Sequence, residues 1–286
     1  MVKLGNFWYL FFIAFTVLLV IGLYFLFKDK SNTAKKILIA SLLLFNLLLH
    51  FLKSFIPPYS LDKNFAVENS WFINICAVSV LSFPIFFFSK SDTLKDWMFY
   101  IGCISGTLAL LYPTEALDKS ILTLDLWRFY VCHIIIVIGP LLMVLLKVHT
   151  LNYHNVWKMP FCMAGVFLFI MCNQVLQSEL GIITLRGNDI FEAGCGYRNT
   201  SLLWGPTDGI ASFFTWATPD FMKTIPFGEF AGQEKYWPFF YILPSCFVYF
   251  IILPFLICLP FEKDHLKEDF IKIKSCFENI KNRKKV

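Results

Sequence analysis

Seven stretches of this chain run on with almost no charge, at approximately 6–27, 37–56, 71–89, 96–112, 127–147, 160–179 and 237–260. About 20 apolar residues is what a helix needs to cross the ~30 Å hydrocarbon core of a bilayer. Hydrocarbon offers no hydrogen-bond partners, so a crossing segment must satisfy its own backbone as a helix. The expected fold is therefore all-α, a polytopic membrane bundle of seven transmembrane helices. Composition points the same way. Of 286 residues, 57% are hydrophobic and 16% charged, against roughly a quarter charged in soluble domains. An ordinary soluble enzyme and a disordered chain are both excluded. The first stretch reads as a span and not as a cleaved leader, because it is about 20 residues long and no small-residue cleavage motif follows it.

Lysine and arginine set the orientation. Lys28, Lys30, Lys35, Lys36, Lys90, Lys95, Lys147, Lys158 and eight residues of the C-terminal tail fall on one side, sixteen in all. The other side holds seven: Lys3, Lys63, Lys119, Arg186, Arg198, Lys223 and Lys235. The expected topology has the N-terminus outside and the C-terminus in the cytoplasm of a cell whose plasma membrane holds the protein. Trp8, Trp71, Trp127 and Trp237 open helices at the outer face, and Trp97 and Trp157 mark the inner one, the depth an amphipathic indole prefers. The chain divides into a transmembrane domain, 1–260, and a basic tail, 261–286. Leu266, Phe270, Ile273, Phe277 and Ile280 recur at spacings of three and four among lysines, which predicts an amphipathic helix on the inner leaflet or against a partner. The segment 180–236 is too long for a simple connection and is expected to cover the extracytoplasmic face.

A net charge of +5 is spent on orientation, so no nucleic-acid partner is expected. Seven of the nine cysteines lie inside apolar stretches, and Cys195 has no loop partner, which is no disulfide framework. No Cys/His spacing suggests a metal, and neither metal nor cofactor is expected.

The chemistry must come from polar residues placed at lipid depth. At about 1.5 Å per residue, His50, Cys76, His133 and Asn173, from four helices, fall roughly 7–9 Å below the outer interface, with Gln177 higher on the last of these. Polar groups in hydrocarbon are costly and mark function or interhelical hydrogen bonds. For His50 alone the interhelical role is the simpler reading. For Cys76 with His133 the pair is a minimal nucleophile and base: the imidazole takes the thiol proton and the thiolate attacks a carbonyl. That depth matches the ester carbonyls of outer-leaflet phospholipids. Arg128, above His133, suits a headgroup phosphate or serves as an interfacial anchor.

The stretch from Trp71 to Lys147, with WFINIC around Cys76, WMFYIGCISGTLALLYP ending at Pro113 and RFYVCHIIIVIGP around His133, resembles the YwaF-like family of bacterial integral membrane proteins. That family is similar to a eukaryotic transmembrane phospholipid cysteine acyltransferase and, more distantly, to androgen-induced membrane hydrolases that use a threonine and a histidine. The resemblance implies Cys76 at the nucleophile position and His133 at the base. It departs where the family has a Pro-Leu-His-like approach to the cysteine and this chain has Phe72, Ile73, Asn74 and Ile75.

Three functions stay open at this point. The first is an acyltransferase or lipid-ester hydrolase whose substrate is a membrane phospholipid or acyl ester, with His50 or Asn173 orienting the imidazole or donating to an oxyanion. The second is a transporter, against which stand the missing ionisable path to the inner side and the missing inverted repeats. The third is a structural or assembly protein with the polar layer as glue. Pro84 and Pro140, below Cys76 and His133, are expected to kink their helices and open a pocket.

Overall fold

The computed structural model describes residues 1–62, 71–182, 201–206, 211–229 and 231–283. Among the described residues the chain is helical, with two isolated β-bridges and no sheet. The first apolar runs become helices where a capping residue starts them. Helix α1 (Phe7–Phe27) begins at Asn6, whose side chain accepts from the Tyr9 amide at 3.0 Å. Helix α2 (Asn32–Leu52) begins at Ser31 in the same way and runs on into a 3₁₀ turn, Lys53–Phe55. Helix α3 is Ile75–Phe88. Helix α4 (Asp92–Ile101) continues through a π-helical turn, Gly102–Gly106, into α5 (Thr107–Leu111). Helices α6 (Leu124–Leu145) and α7 (Met159–Glu179) follow, then a short α8 (Ala211–Thr215), α9 (Leu243–Cys258) and the tail helix α10 (Lys263–Arg283).

Five helical stretches are long and apolar enough to cross a membrane: Phe7–Phe27, Asn32–Phe55, Leu124–Leu145, Tyr153–Glu179 and Phe240–Cys258. The expected third span, 71–89, is shorter than the apolar run that announced it. Its helix has 14 residues, about 21 Å of rise, because residues 71–74 are not helical and an extended Asn74 caps it. The expected fourth span, 96–112, starts earlier, at Asp92, and carries three charged residues in its first turns.

Helix α6 is the hub. Most of its length is buried, whereas α1 is largely exposed and lies at the periphery. Helix α2 crosses α6 at Gly139, where a methyl group would stand 2.9 Å from Leu43. The π turn crosses it more tightly still. A Cβ on Gly102 would meet the Ile136 carbonyl oxygen at 2.6 Å, and one on Gly106 would meet Val137 at 2.7 Å. Without an apolar-to-water driving force between lipid-embedded helices, such close backbone approach through small residues is a main source of association.

At the other end of the bundle a polar cluster ties α4 to the α6–α7 connection. Asp96 is fully buried, and both its oxygens are bonded, to His149 Nε2 at 2.7 Å and Asn155 Nδ2 at 2.7 Å. Lys158 then donates to Asn155 Oδ1 at 2.8 Å. Helix α10 folds back beside this connection, where Tyr153 donates to Asp269 and His154 Nε2 lies 3.2 Å from the same carboxylate. Of the long segment 180–236, the part containing Cys195 lies outside the described residues. Its residues 201–206 pack into the core: Leu203 and Trp204 are buried, and the Trp204 indole donates to Gln174 Oε1 at 2.6 Å.

The contact at Gly102 is testable. Gly102→Ala is expected to destabilise the protein by about 1–3 kcal/mol through overpacking, read as a lowered melting temperature in detergent. Gly165→Ala, where nothing lies within 4 Å, is expected to leave it unchanged or slightly raised.

Candidate functional site

A cavity of about 560 Å³ opens among the C-terminal end of α2, the residues leading into α3, the 114–119 connection and the N-terminal half of α6. It is lined by four of the six candidate residues: His50, Cys76, Arg128 and His133. Asn173 and Gln177 do not line it. Both sit on α7, and Asn173 bonds the residues that lead into α3.

Cys76 owes its place to a cap. Asn74 is extended, at φ −140° and ψ 167°, and its Oδ1 accepts the Ala77 amide at 2.8 Å. The thiol therefore sits in the first turn of α3, close to the helix N-terminus. On the π turn, the Ser105 hydroxyl donates to the Ile101 carbonyl at 2.7 Å.

His133 is oriented by its own helix. Its Nδ1 lies 2.8 Å from the Phe129 carbonyl oxygen. A carbonyl only accepts, so Nδ1 carries the hydrogen, and in the neutral ring Nε2 is left with the lone pair that a general base needs. The ring is braced by Phe129, with centroids 4.2 Å apart. Among the described residues no direct hydrogen bond joins the Cys76 thiol to this ring. They face one space without touching.

His50 is buried and stacks on Phe72, with centroids 5.1 Å apart and planes 16° from parallel. Asn173 Nδ2 donates to the Phe72 carbonyl at 3.2 Å. It thus reaches the cavity only through Phe72, by holding the residues before α3 against α7. Gln177 is fully buried, with neither amide atom hydrogen-bonded among the described residues.

The mouth is charged. Arg128 donates to Asp125 Oδ1 from Nε at 3.0 Å and from Nη2 at 2.7 Å, and Lys119 donates to Asp125 Oδ2 at 2.9 Å. Tyr59 lies between Lys53 and Arg128, whose cationic heads stand 5.2 Å and 5.6 Å from its ring centroid. Burial pushes the Tyr59 phenol up to about 12, so it stays a neutral hydroxyl. Arg128, read from sequence as a headgroup contact, is largely committed to Asp125. Lys53 and Tyr59 were not singled out by sequence. Lys53 passes for a helix-end lysine, and only the fold turns Tyr59 from the 3₁₀ turn Tyr59–Leu61 back over the site.

Residues 3–253 match the model of the TMEM164 family. The chain belongs to the TMEM164 family. No curated protein and no solved structure matches it. The region matched contains every residue of the cavity wall and stops within α9, before the tail helix. Among the described residues of this TMEM164-family chain, Cys76, Cys103, Cys132, Cys162, Cys172, Cys246 and Cys258 are free thiols, and no group of three His, Cys, Asp or Glu side chains is placed to hold a metal. Its cavity thus has two thiols, Cys76 and Cys132, two imidazoles and a charged rim to work with.

The Asn74 cap is expected to contribute about 1 kcal/mol. Asn74→Ala should lower the melting temperature and change the alkylation rate of Cys76 by a small maleimide, while Asn74→Ser, also a good cap, should restore both.

Proposed function

We propose that this TMEM164-family protein is a membrane-embedded acyltransferase or lipid-ester hydrolase, with Cys76 as nucleophile and His133 as base, acting on acyl esters drawn from the outer leaflet. The observation that carries this reading is the meeting of Cys76 and His133 in one cavity, with the His133 tautomer leaving Nε2 free. In the reaction, a side-chain rotation brings thiol and Nε2 within hydrogen-bond reach. Nε2 takes the proton as sulfur bonds to the ester carbonyl carbon. Collapse of the tetrahedral intermediate breaks the carbon–oxygen bond, and the alcohol leaves with the proton from His133. A second alcohol or water then attacks the thioester, returning its proton through His133 to the thiol. His50 lines the same space and is suited to donate to the oxyanion. Asn173 acts at one remove, through Phe72, and Gln177 supports the packing behind it.

The same reading gives seven crossings with the N-terminus outside, in the plasma membrane. It takes α3 as a short span and α4 through α5 as one. The lysine and arginine distribution supports it, and the cavity then opens at the lysine-poor outer end. The tail helix lies on the inner leaflet: Phe270 and Ile273 are exposed, as a face turned toward lipid requires. The likeness to YwaF-like proteins, carried by the motifs around Cys76 and His133, supports the dyad further. A second reading, in which the polar layer only joins helices, is favoured by two contacts: Asn46 Nδ2 donates to the Cys132 carbonyl at 3.2 Å, and Asn173 donates to Phe72.

Incubation of the purified protein with a fluorescent phospholipid ester is expected to yield a hydroxylamine-sensitive acyl adduct. Cys76→Ala should abolish it, and His133→Ala should slow its formation about 10²–10⁴-fold. An adduct unchanged in Cys76→Ala removes Cys76 as the nucleophile. Topology is tested with a membrane-impermeant maleimide on intact cells. A cysteine placed at Lys119 should react, and one at Lys35 should react only after permeabilisation.

A further inference from the structure

The polar groups at the cavity mouth do not balance. Asp125 is saturated: Arg128 occupies Oδ1 and Lys119 occupies Oδ2. Arg128 has 9% of its side-chain surface exposed and is held by two of its nitrogens, with Nη1 engaged by neither Asp125 nor Tyr59. Lys53 also lines the cavity and is half-buried, yet it pairs with no carboxylate among the described residues. Its ammonium stands against the Tyr59 ring, and the Arg128 guanidinium stands against that same ring. Two cations are thus drawn to one aromatic side chain, and among the described residues only one of them is ion-paired.

Charge arithmetic defines what is missing. Among the described residues the mouth holds Lys53, Lys119 and Arg128 against Asp125 and the exposed Glu115, which also lines the cavity. Three positive charges against two negative leave a surplus of one. A half-buried ammonium at the edge of hydrocarbon is costly until an anion pairs with it, and two donors from separate residues suit a tetrahedral anion with oxygens on more than one side.

We propose that the cavity mouth is a binding site for a singly charged phosphate group, in which Lys53 makes the principal charged contact and Arg128, locked by Asp125, presents Nη1 as the second donor. The shared chemistry is a phosphate oxyanion, belonging either to the phosphodiester of a lipid headgroup or to a free phosphate. The walls below favour the lipid. Ala77, Val80 and Ile136 line the cavity beneath the charged rim, so a ligand whose phosphate meets Lys53 places its ester and chains toward Cys76. This rests on the lipid-ester reading of the cavity. It moves the headgroup contact from Arg128, which sequence alone singles out, to Lys53.

The test measures binding without turnover, in the full-length Cys76→Ala protein in neutral-lipid nanodiscs. The probe is a fluorescent short-chain phosphatidylcholine, compared with the matching diacylglycerol, which lacks the phosphate. Lys53→Gln is expected to weaken the phosphatidylcholine probe about tenfold or more, as loss of a charge-assisted hydrogen bond should. Lys53→Arg should keep it within about threefold, and the diacylglycerol probe should not respond to either change. Glu115→Gln, at an exposed position with little packing to lose, should tighten the phosphatidylcholine probe about threefold by raising the surplus charge, which keeps the test valid if Lys53→Gln fails to fold. Competition by millimolar inorganic phosphate assigns the site to free phosphate, and lack of competition with the Lys53→Gln contrast intact assigns it to the headgroup. Equal binding to wild type and Lys53→Gln, equal losses for both probes, or no tightening in Glu115→Gln overturns the proposal. Because Cys76 is absent throughout, a failed dyad leaves this contrast untouched, and a failed contrast leaves the dyad untouched.

Discussion

The approach of the Gly102–Gly106 turn to α6 is the contact on which the bundle depends. In lipid, helices gain nothing by hiding apolar surface from one another, so a stable interface needs backbones near enough for dispersion to accumulate. Here that means a carbonyl oxygen where a methyl group would otherwise stand. The π geometry adds a residue to one turn, as it does at many functional sites. One local irregularity therefore packs α4 and α5 onto the central helix.

The two ends of the bundle answer the same electrostatic demand in opposite ways. Around Asp96 the demand is met within the protein, because each carboxylate oxygen has a donor at 2.7 Å and the neighbouring Asn155 is bonded in turn. Such a closed network costs little and specifies one arrangement of its helices. At the cavity the network stays open among the described residues: Asp125 serves two cations, and no carboxylate pairs with Lys53. A fully satisfied cluster is structural cement, whereas an unsatisfied one beside a cavity is a place for a ligand.

Much of this was legible in the residues. Long apolar runs in a medium without hydrogen-bond partners leave a helix as the one local solution, and Asn6, Ser31 and Asn74 mark where helices begin. Counting residues down from each helix mouth placed His50, Cys76 and His133 at one depth, and they do share a cavity. The same count included Asn173 and Gln177, which do not line it, because depth along a helix says nothing of the direction a side chain takes around it. Arg128 was legible as a cation near the mouth, but not as a cation already paired. Its partner is on its own helix, and the neighbouring Tyr59 lies 69 residues away.

Local chemistry by itself determined that this chain is helical, apolar and poor in charge where lipid would be, because hydrophobicity and backbone satisfaction act residue by residue. It also selected the cysteine and histidine worth examining. Only the tertiary structure decided which polar groups face a common space, which His133 nitrogen is left free and which cations Asp125 holds. Those are properties of relative rotation and contact between helices distant in sequence. The physical reason is geometric: periodicity sets the face of a helix, and packing chooses what that face meets.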